Sequence, residues 1–154
     1  MDAHPSLRAL KDEMGRLSEQ FGSRATLPPK CFTAMQAKFL EYESRRLLKV
    51  AFPVLESFLN PVRIMQGGFI AAAFDNTFGP LSYLAAREAC VTLDLHTQFI
   101  RTITLGDTLT VQATVVSRGP QTLYLAGEAT NGRGKLVATC SANAVVVKAT
   151  TPVG

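Results

Sequence analysis

Residues 65–79 read Met65-Gln-Gly-Gly-Phe-Ile-Ala-Ala-Ala-Phe-Asp-Asn-Thr-Phe-Gly79. Two glycines open a run that is apolar on nearly every side, and a single carboxylate, Asp75, sits inside it. A helix apolar all round belongs in a core. A carboxylate within such a helix must be paired, hydrogen-bonded or open to a cleft, because burying it bare costs several kcal/mol. A glycine-opened N-terminus also leaves backbone N–H groups free for an anion or a developing oxyanion. The stretch therefore offers an acid/base group and an oxyanion site together.

The flanks decide what surrounds this helix. The spacing predicts a helix over about Gly67–Glu88, with a kink or break near Asn76–Gly79 because Pro80 removes a backbone donor. After Cys90 the apolar period changes from 3.6 to 2. Val91, Leu93, Leu95, Thr97 and Phe99 alternate with polar residues, as do Leu109–Val115 and Leu123–Ala129, and Leu136–Val147 reads as one long strand. Leu105–Asp107, Ser117–Pro120 and Asn131–Gly134 have hairpin-turn composition. Before the helix, Cys31–Pro53 alternates and reads as two strands turning near Ser44–Arg46, and residues 53–66, with two prolines, read as a loop. Leu7, Leu10, Met14, Leu17 and Phe21 recur at spacings of 3 and 4, predicting an amphipathic helix over residues 5–22 that stops at Gly22. The expected fold is α+β: one curved antiparallel sheet of five to six strands wrapped round a central helix, with an extra N-terminal helix. The division is residues 1–24 for that helix and 25–154 for a single domain.

Composition narrows the function classes. The 154 residues, 47% hydrophobic and 18% charged, fit one globular domain. No apolar run reaches the ~20 residues of a membrane span, and the N-terminus lacks the apolar core of a secretory signal; a soluble, cytoplasmic protein with no membrane partner is expected. The net charge of +4 comes from scattered residues with no basic–aromatic interleaving, which argues against nucleic acid. Separated arginines suit a phosphate-bearing small ligand, or no more than a solvated surface. Cys31, Cys90 and Cys140 form no CxxC pair, which argues against a disulfide framework or metal site; all three read as buried, inert thiols.

Three blocks together resemble the hotdog fold, and within it the phenylacetate-degradation-type acyl-CoA thioesterases, over roughly residues 45–148. That family carries an Asn, then His-Gly-Gly, then an Asp nine residues after the His. Here Asn60, Gln66-Gly67-Gly68 and Asp75 hold that spacing, with Gln66 in place of the histidine. Thr92-Leu-Asp94 and Phe99-Ile-Arg101 resemble its later strand, and Leu105-Gly106-Asp107 its Pro-Gly-Asp turn. Gln66 can donate and accept hydrogen bonds but cannot titrate.

The resemblance implies acyl-CoA thioester hydrolysis, without a cofactor, at the interface of a homodimer or dimer of dimers. Asp75 of one subunit would be general base or nucleophile, facing the Gly67 or Gly68 N–H of the other. Asn60 would position water or the carbonyl, although before Pro61 it is equally a turn former. Thr92 or Thr77 would orient Asp75 or the water. Phe78 and Tyr83, with Phe69 and Phe74, would line a pocket for a medium-chain or aromatic acyl group, and Arg101 and Arg118 would grip coenzyme A phosphates. The alternatives are a non-catalytic acyl-CoA-binding or sensing module, which Gln66 keeps open, and an acyl-thioester dehydratase or hydratase. The absence of any histidine between His4 and His96 counts against the latter.

Overall fold

The computed structural model describes residues 4–148; residues 1–3 and 149–154 of the expected divisions lie outside that range. The order is α1 (Pro5–Phe21), α2 (Lys30–Ala34), β1 (Lys38–Glu43), β2 (Leu47–Pro53), α3 (Gly67–Ala86), β3 (Cys90–Phe99), β4 (Thr108–Arg118), β5 (Thr122–Thr130) and β6 (Leu136–Val146). The six strands form one antiparallel sheet ordered β1-β2-β4-β5-β6-β3. It packs around α3, which contacts β2 through β6. This is the hotdog arrangement expected from the sequence.

The core is the seam between α3 and the sheet. Phe74 and Phe78 stack with ring centroids 5.9 Å apart and are almost fully buried. Gly127 on β5 makes room for them: a Cβ there would stand 3.3 Å from both rings and 3.0 Å from the Gln112 carbonyl. Leu48, Phe52, Leu109, Val111 and Leu125 complete the layer at full burial, each worth about 1.5–3 kcal/mol of transfer free energy. That packing carries α3 through Pro80 as one unbroken helix, so the expected break does not occur. Tertiary burial of Phe78 and Leu81 on either side of the proline outweighs one missing hydrogen bond.

Two further expectations change. Residues 31–34 are not strand. Pro29 precedes the short helix α2, and Phe32 and Met35 bury together at helical i, i+3 spacing; the alternation of residue types across 31–36 concealed this. The β3–β4 connection is not a hairpin either, because β3 pairs with β6 at the sheet edge. Residues 100–107 instead brace the loop before α3: Met65 N–H donates to the Ile103 carbonyl, Ile64 bridges Thr104, and Val54 N–H donates to the Asp107 carbonyl. Gly106 takes φ +84° in that connection, and the Asp107 carboxylate ties it to the β5–β6 turn by accepting from Gly132 N–H at 2.9 Å. The other two turns do form hairpins, β4–β5 and β5–β6.

Helix α1 ends at Gly22, at φ +55°. Its Leu10, Leu17 and Phe21 join the same core. It is pinned by Glu13, whose carboxylate accepts from Tyr42 Oη at 2.7 Å and Ser44 Oγ at 2.8 Å. Gln20 Nε2 reaches the Arg87 carbonyl at the end of α3. No helix among the described residues is long and apolar enough to cross a membrane.

Candidate active site

The loop entering α3 is a compact structure of its own. Asn60 Oδ1 accepts from the N–H groups of Val62 (3.1 Å) and Ile64 (3.2 Å), and the Asn60 N–H bonds the Ile64 carbonyl. The side-chain oxygen is thus spent on the turn, and Nδ2 is the end left to face a ligand. Gln66 N–H donates to the Phe58 carbonyl, fixing where the helix starts. The Gln66 side chain is exposed and does not cap the helix.

The Gln66 carbonyl takes the N–H groups of Phe69 and Ile70. Those of Gly67 and Gly68 have no backbone acceptor among the described residues. They are the two outermost donors of a 20-residue helix, with its dipole behind them. Gly67 is also closely covered: a Cβ there would lie 2.9 Å from Cζ of Phe99, so the ring over this end of the helix would have to shift. At Gly68 the nearest neighbour would be Gln66 Nε2 at 4.0 Å.

Asp75 is exposed on the flank of α3 that faces the sheet's edge strand, so its charge meets a cleft rather than the core. Thr92 on β3 donates its hydroxyl to Asp75 Oδ1 at 2.8 Å. The carboxylate is thereby held by one oxygen and presents the other. Thr77, by contrast, is fully buried and donates to the Ala73 carbonyl within its own helix, and Phe78 is sealed against the sheet. Neither can touch a ligand, and of the two candidate threonines it is Thr92 that orients Asp75. Eight residues, ~12 Å of helix axis, separate Asp75 from Gly67, so the carboxylate and the free N–H pair do not meet within one chain.

The remaining candidates divide. Tyr83 lies on the same side of α3 as Asp75, two turns on, and both line a cavity of about 310 Å³ with Asn76 and Gly79. Burial pushes the Tyr83 phenol above its ordinary pKa. Arg101 donates from Nη1 to the Leu136 carbonyl at 2.6 Å, at the α3 N-terminal end of the sheet. Arg118 stands across from Leu123, in the cross-strand row that leads through Ala144 to Thr92. That row is about nine residues, ~30 Å, along the strand direction from Arg101, so the two arginines form no cluster on one protomer. His96 Nε2 lies 3.8 Å from Asp94 Oδ1, while Asp94 accepts from the Asn143 backbone and side chain, beside the register shift in the β3–β6 ladder. Asp94 thus braces the sheet. Cys31 is exposed, against expectation, because α2 turns it outward, and its thiol donates to Asn76 Oδ1 at 3.4 Å. Cys90 and Cys140 are buried, and burial raises both thiol pKa values. Among the described residues no group of three or more His, Cys, Asp or Glu could hold a metal ion.

Residues 63–138 match the family model described as the Thioesterase superfamily. No curated protein matches the chain. Among solved structures, a putative thioesterase related to phenylacetic acid degradation from Ralstonia eutropha JMP134 is 28% identical, with a TM-score of 0.71, covering 84% of this chain and 98% of that one. The PaaI protein of E. coli, from the phenylacetic acid degradation operon, is 22% identical with a TM-score of 0.77, covering 90% and 96%. The smu.793 protein of Streptococcus mutans UA159, solved with acetyl-CoA bound, is 24% identical with a TM-score of 0.68, covering 72% and 88%.

Proposed function

We propose that this chain, whose residues 63–138 match the Thioesterase superfamily model, hydrolyses an acyl-CoA thioester to the free acid and coenzyme A, working as a homodimer with sites shared between subunits. The observation that carries the reading is the Asp75 carboxylate, held by Thr92 at 2.8 Å and facing an apolar-lined cavity of about 310 Å³. The likeness to the Ralstonia protein, itself described as a putative thioesterase, supports it.

The shared site follows from the sheet edge. Strand β3 ends the sheet and has unpaired backbone groups on its outer side. Val91, Leu93, Phe99 and Ile100 stand there at 53–59% exposure, an apolar strip that an antiparallel copy of β3 would cover. Gly67 lies under Phe99 and Asp75 beside Thr92; Leu95 and His96 are midway between those strand positions. A two-fold axis there sets the Gly67 end of one β3 against the Asp75 end of the other. The two halves that a single chain keeps ~12 Å apart are then brought together across the interface. A further pairing of dimers belongs to the same proposal.

In this arrangement the thioester carbonyl oxygen accepts from the partner's free helix N–H groups, which stabilise the negative charge that builds as water attacks. Asp75, oriented through Oδ1 by Thr92, uses Oδ2 to take the proton of the attacking water. The tetrahedral intermediate collapses with cleavage of the C–S bond, and the proton passes from Asp75 to the leaving thiolate. Asn60 Nδ2 positions the water or the carbonyl. Gln66, a non-titrating neighbour, adds hydrogen bonds but no proton transfer. Arg101, at the α3 N-terminal end, is the arginine placed to meet coenzyme A phosphates at that site. The free cysteines fit a reducing compartment, and we assign the activity to the cytoplasm.

Thiol release from a panel of acyl-CoAs tests the reading directly. Turnover that falls by about 10² or more in Asp75→Asn supports Asp75 as base; turnover surviving within about tenfold overturns the assignment. Tight coenzyme A binding with no turnover on any substrate establishes the non-catalytic alternative.

A further inference from the structure

We propose that the N-terminal segment, α1 through the start of β1, is the roof of the acyl pocket, and that Gly79 sets the pocket's depth and so the length of acyl group accepted. The proposal rests on the thioesterase reading above and assigns the specificity of that same site.

The floor of the cavity is one stripe of α3. Asp75, Gly79 and Tyr83 recur every four residues and all line it, which places them one above another on a single helix face. From the carboxylate to the phenol the stripe runs ~12 Å. The roof comes from a different part of the chain: Met14 and Leu17 of α1, Leu27 of the connector, Phe32 of α2 and Phe39 of β1. Both sides are braced. Phe32 stacks on Phe39 with centroids 4.8 Å apart, and Phe21 meets Tyr83 edge-on at 5.8 Å. Glu13, tied to Tyr42 and Ser44, holds α1 over the sheet. The roof is thus a fixed part of the fold, and the cavity beneath it begins at the catalytic carboxylate.

Gly79 is the position where this face lacks a side chain. Apart from its chain neighbours and its own helix backbone, a Cβ built there meets no heavy atom within 4 Å, so only the ring of Pro80, next in the helix, favours glycine at this position, and the space on the cavity side is open. What its bare backbone leaves is space in the middle of the stripe. An apolar cavity of ~150 Å³ already admits benzene; at about 310 Å³ this one takes an extended medium-chain acyl group or a substituted aryl group. The carbonyl would sit at Asp75 and the tail would run past Gly79 toward Tyr83.

The test uses the whole chain, three readouts and three variants. Gly79→Ala and Gly79→Leu fill the pocket from the floor, and Met14→Phe fills it from the roof. Thiol release is followed on acetyl-, hexanoyl-, octanoyl- and phenylacetyl-CoA. Binding of the non-hydrolysable thioethers ethyl-CoA and octyl-CoA is followed by calorimetry. A side chain at 79 crowds the Pro80 ring, so Gly79→Leu is expected to melt somewhat below wild type but cooperatively, and ethyl-CoA binding reports that its site is intact. The variant should weaken octyl-CoA about tenfold, the effect of excluding about two methylenes, and leave ethyl-CoA unchanged. Gly79→Ala should fall between, and Met14→Phe should shift selectivity the same way. Octyl-CoA and ethyl-CoA responding equally in all three variants, or no preference for octyl over ethyl in the wild type, overturns the proposal. Chain-length-dependent binding that Gly79→Leu abolishes, in a protein that hydrolyses none of the acyl-CoAs, upholds the pocket while removing the hydrolase reading.

Discussion

Thr92 Oγ1 and Asp75 Oδ1 stand 2.8 Å apart, joining the edge strand β3 to the middle of α3. A hydrogen bond to a charged group is worth about 1.5–3 kcal/mol. Spent on orienting the base, that is roughly 10- to 100-fold in rate. Thr92→Val should therefore lower kcat by about that factor, with KM little changed, and Thr92→Ser should recover most of it. Steady-state kinetics on one good acyl-CoA substrate decides; a Thr92→Val enzyme with wild-type kcat would show that the contact is architectural.

The two glycines at the helix start should respond differently. In Gly67→Ala the new methyl meets the Phe99 ring at 2.9 Å, whereas Gly68→Ala has its nearest neighbour at 4.0 Å. Moving the N–H donors by even ~1 Å costs on the order of 10² in rate, so Gly67→Ala should lose turnover. Gly68→Ala should stay within about 0.5 kcal/mol of wild-type stability. Because the obstacle is the far edge of a half-exposed ring, Phe99→Leu should restore activity to Gly67→Ala. A double-mutant cycle with no coupling between the two positions would refute the steric account.

What the sequence made legible follows from the reach of each signal. The period-3.6 run around Asp75 and the period-2 runs after Cys90 are local patterns, and they led to the right elements and the right architecture. The α2 helix was not legible because Phe32 and Met35, its buried pair, sit inside a stretch that also alternates. The β3–β6 pairing joins residues about 50 apart, and the composition of the Leu105–Asp107 turn carries no information about it. Spacing offered both Thr77 and Thr92 as partners for Asp75. Only burial, which depends on which face of α3 meets Gly127, separates them. The cavity roof draws on residues 14–39, whose apolar spacing announces a helix but not what the helix covers.

Thiol chemistry should distinguish the three cysteines. Cys31 is exposed, while Cys90 and Cys140 are buried with thiol pKa values raised by that burial. Since the thiolate is the reactive species, a disulfide reagent near neutral pH should modify one thiol per chain quickly. Cys31→Ser should remove that phase, and the other two thiols should react only on unfolding. Fast reaction of two thiols in the native protein would contradict the burial of β3 and β6 positions.

Alkaline stability should carry the signature of Tyr42. Burial, reinforced by the hydrogen bond to Glu13, pushes its phenol from 10.0 up to about 12. A folded-state value above the unfolded one means that the neutral phenol stabilises the fold in full below pH 10. The contribution is then lost as pH rises through about 12. Tyr42→Phe removes both the bond and the titration. The variant should melt lower than wild type at neutral pH, and the gap should close between 10 and about 12. Thermal melts across that range check it, and a gap independent of pH would assign the loss to packing alone.

The proposed dimerisation through β3 makes the last prediction, and it separates assembly from folding. Leu93 is 59% exposed on the edge strand, beside the register shift between Thr92 and Asp94. In a protomer its side chain touches little, so Leu93→Lys should cost the isolated fold only about 0.5 kcal/mol. Across a two-fold near Leu95 and His96 the same change sets two ammonium groups into an apolar strip, which is strongly unfavourable. Sedimentation should therefore show a folded monomer in place of the dimer. Turnover should collapse although Thr92 still holds Asp75, because the carboxylate has lost the partner's Gly67 and Gly68 N–H groups. A Leu93→Lys protein that is monomeric and fully active would place the whole site within one chain and overturn the shared-site arrangement.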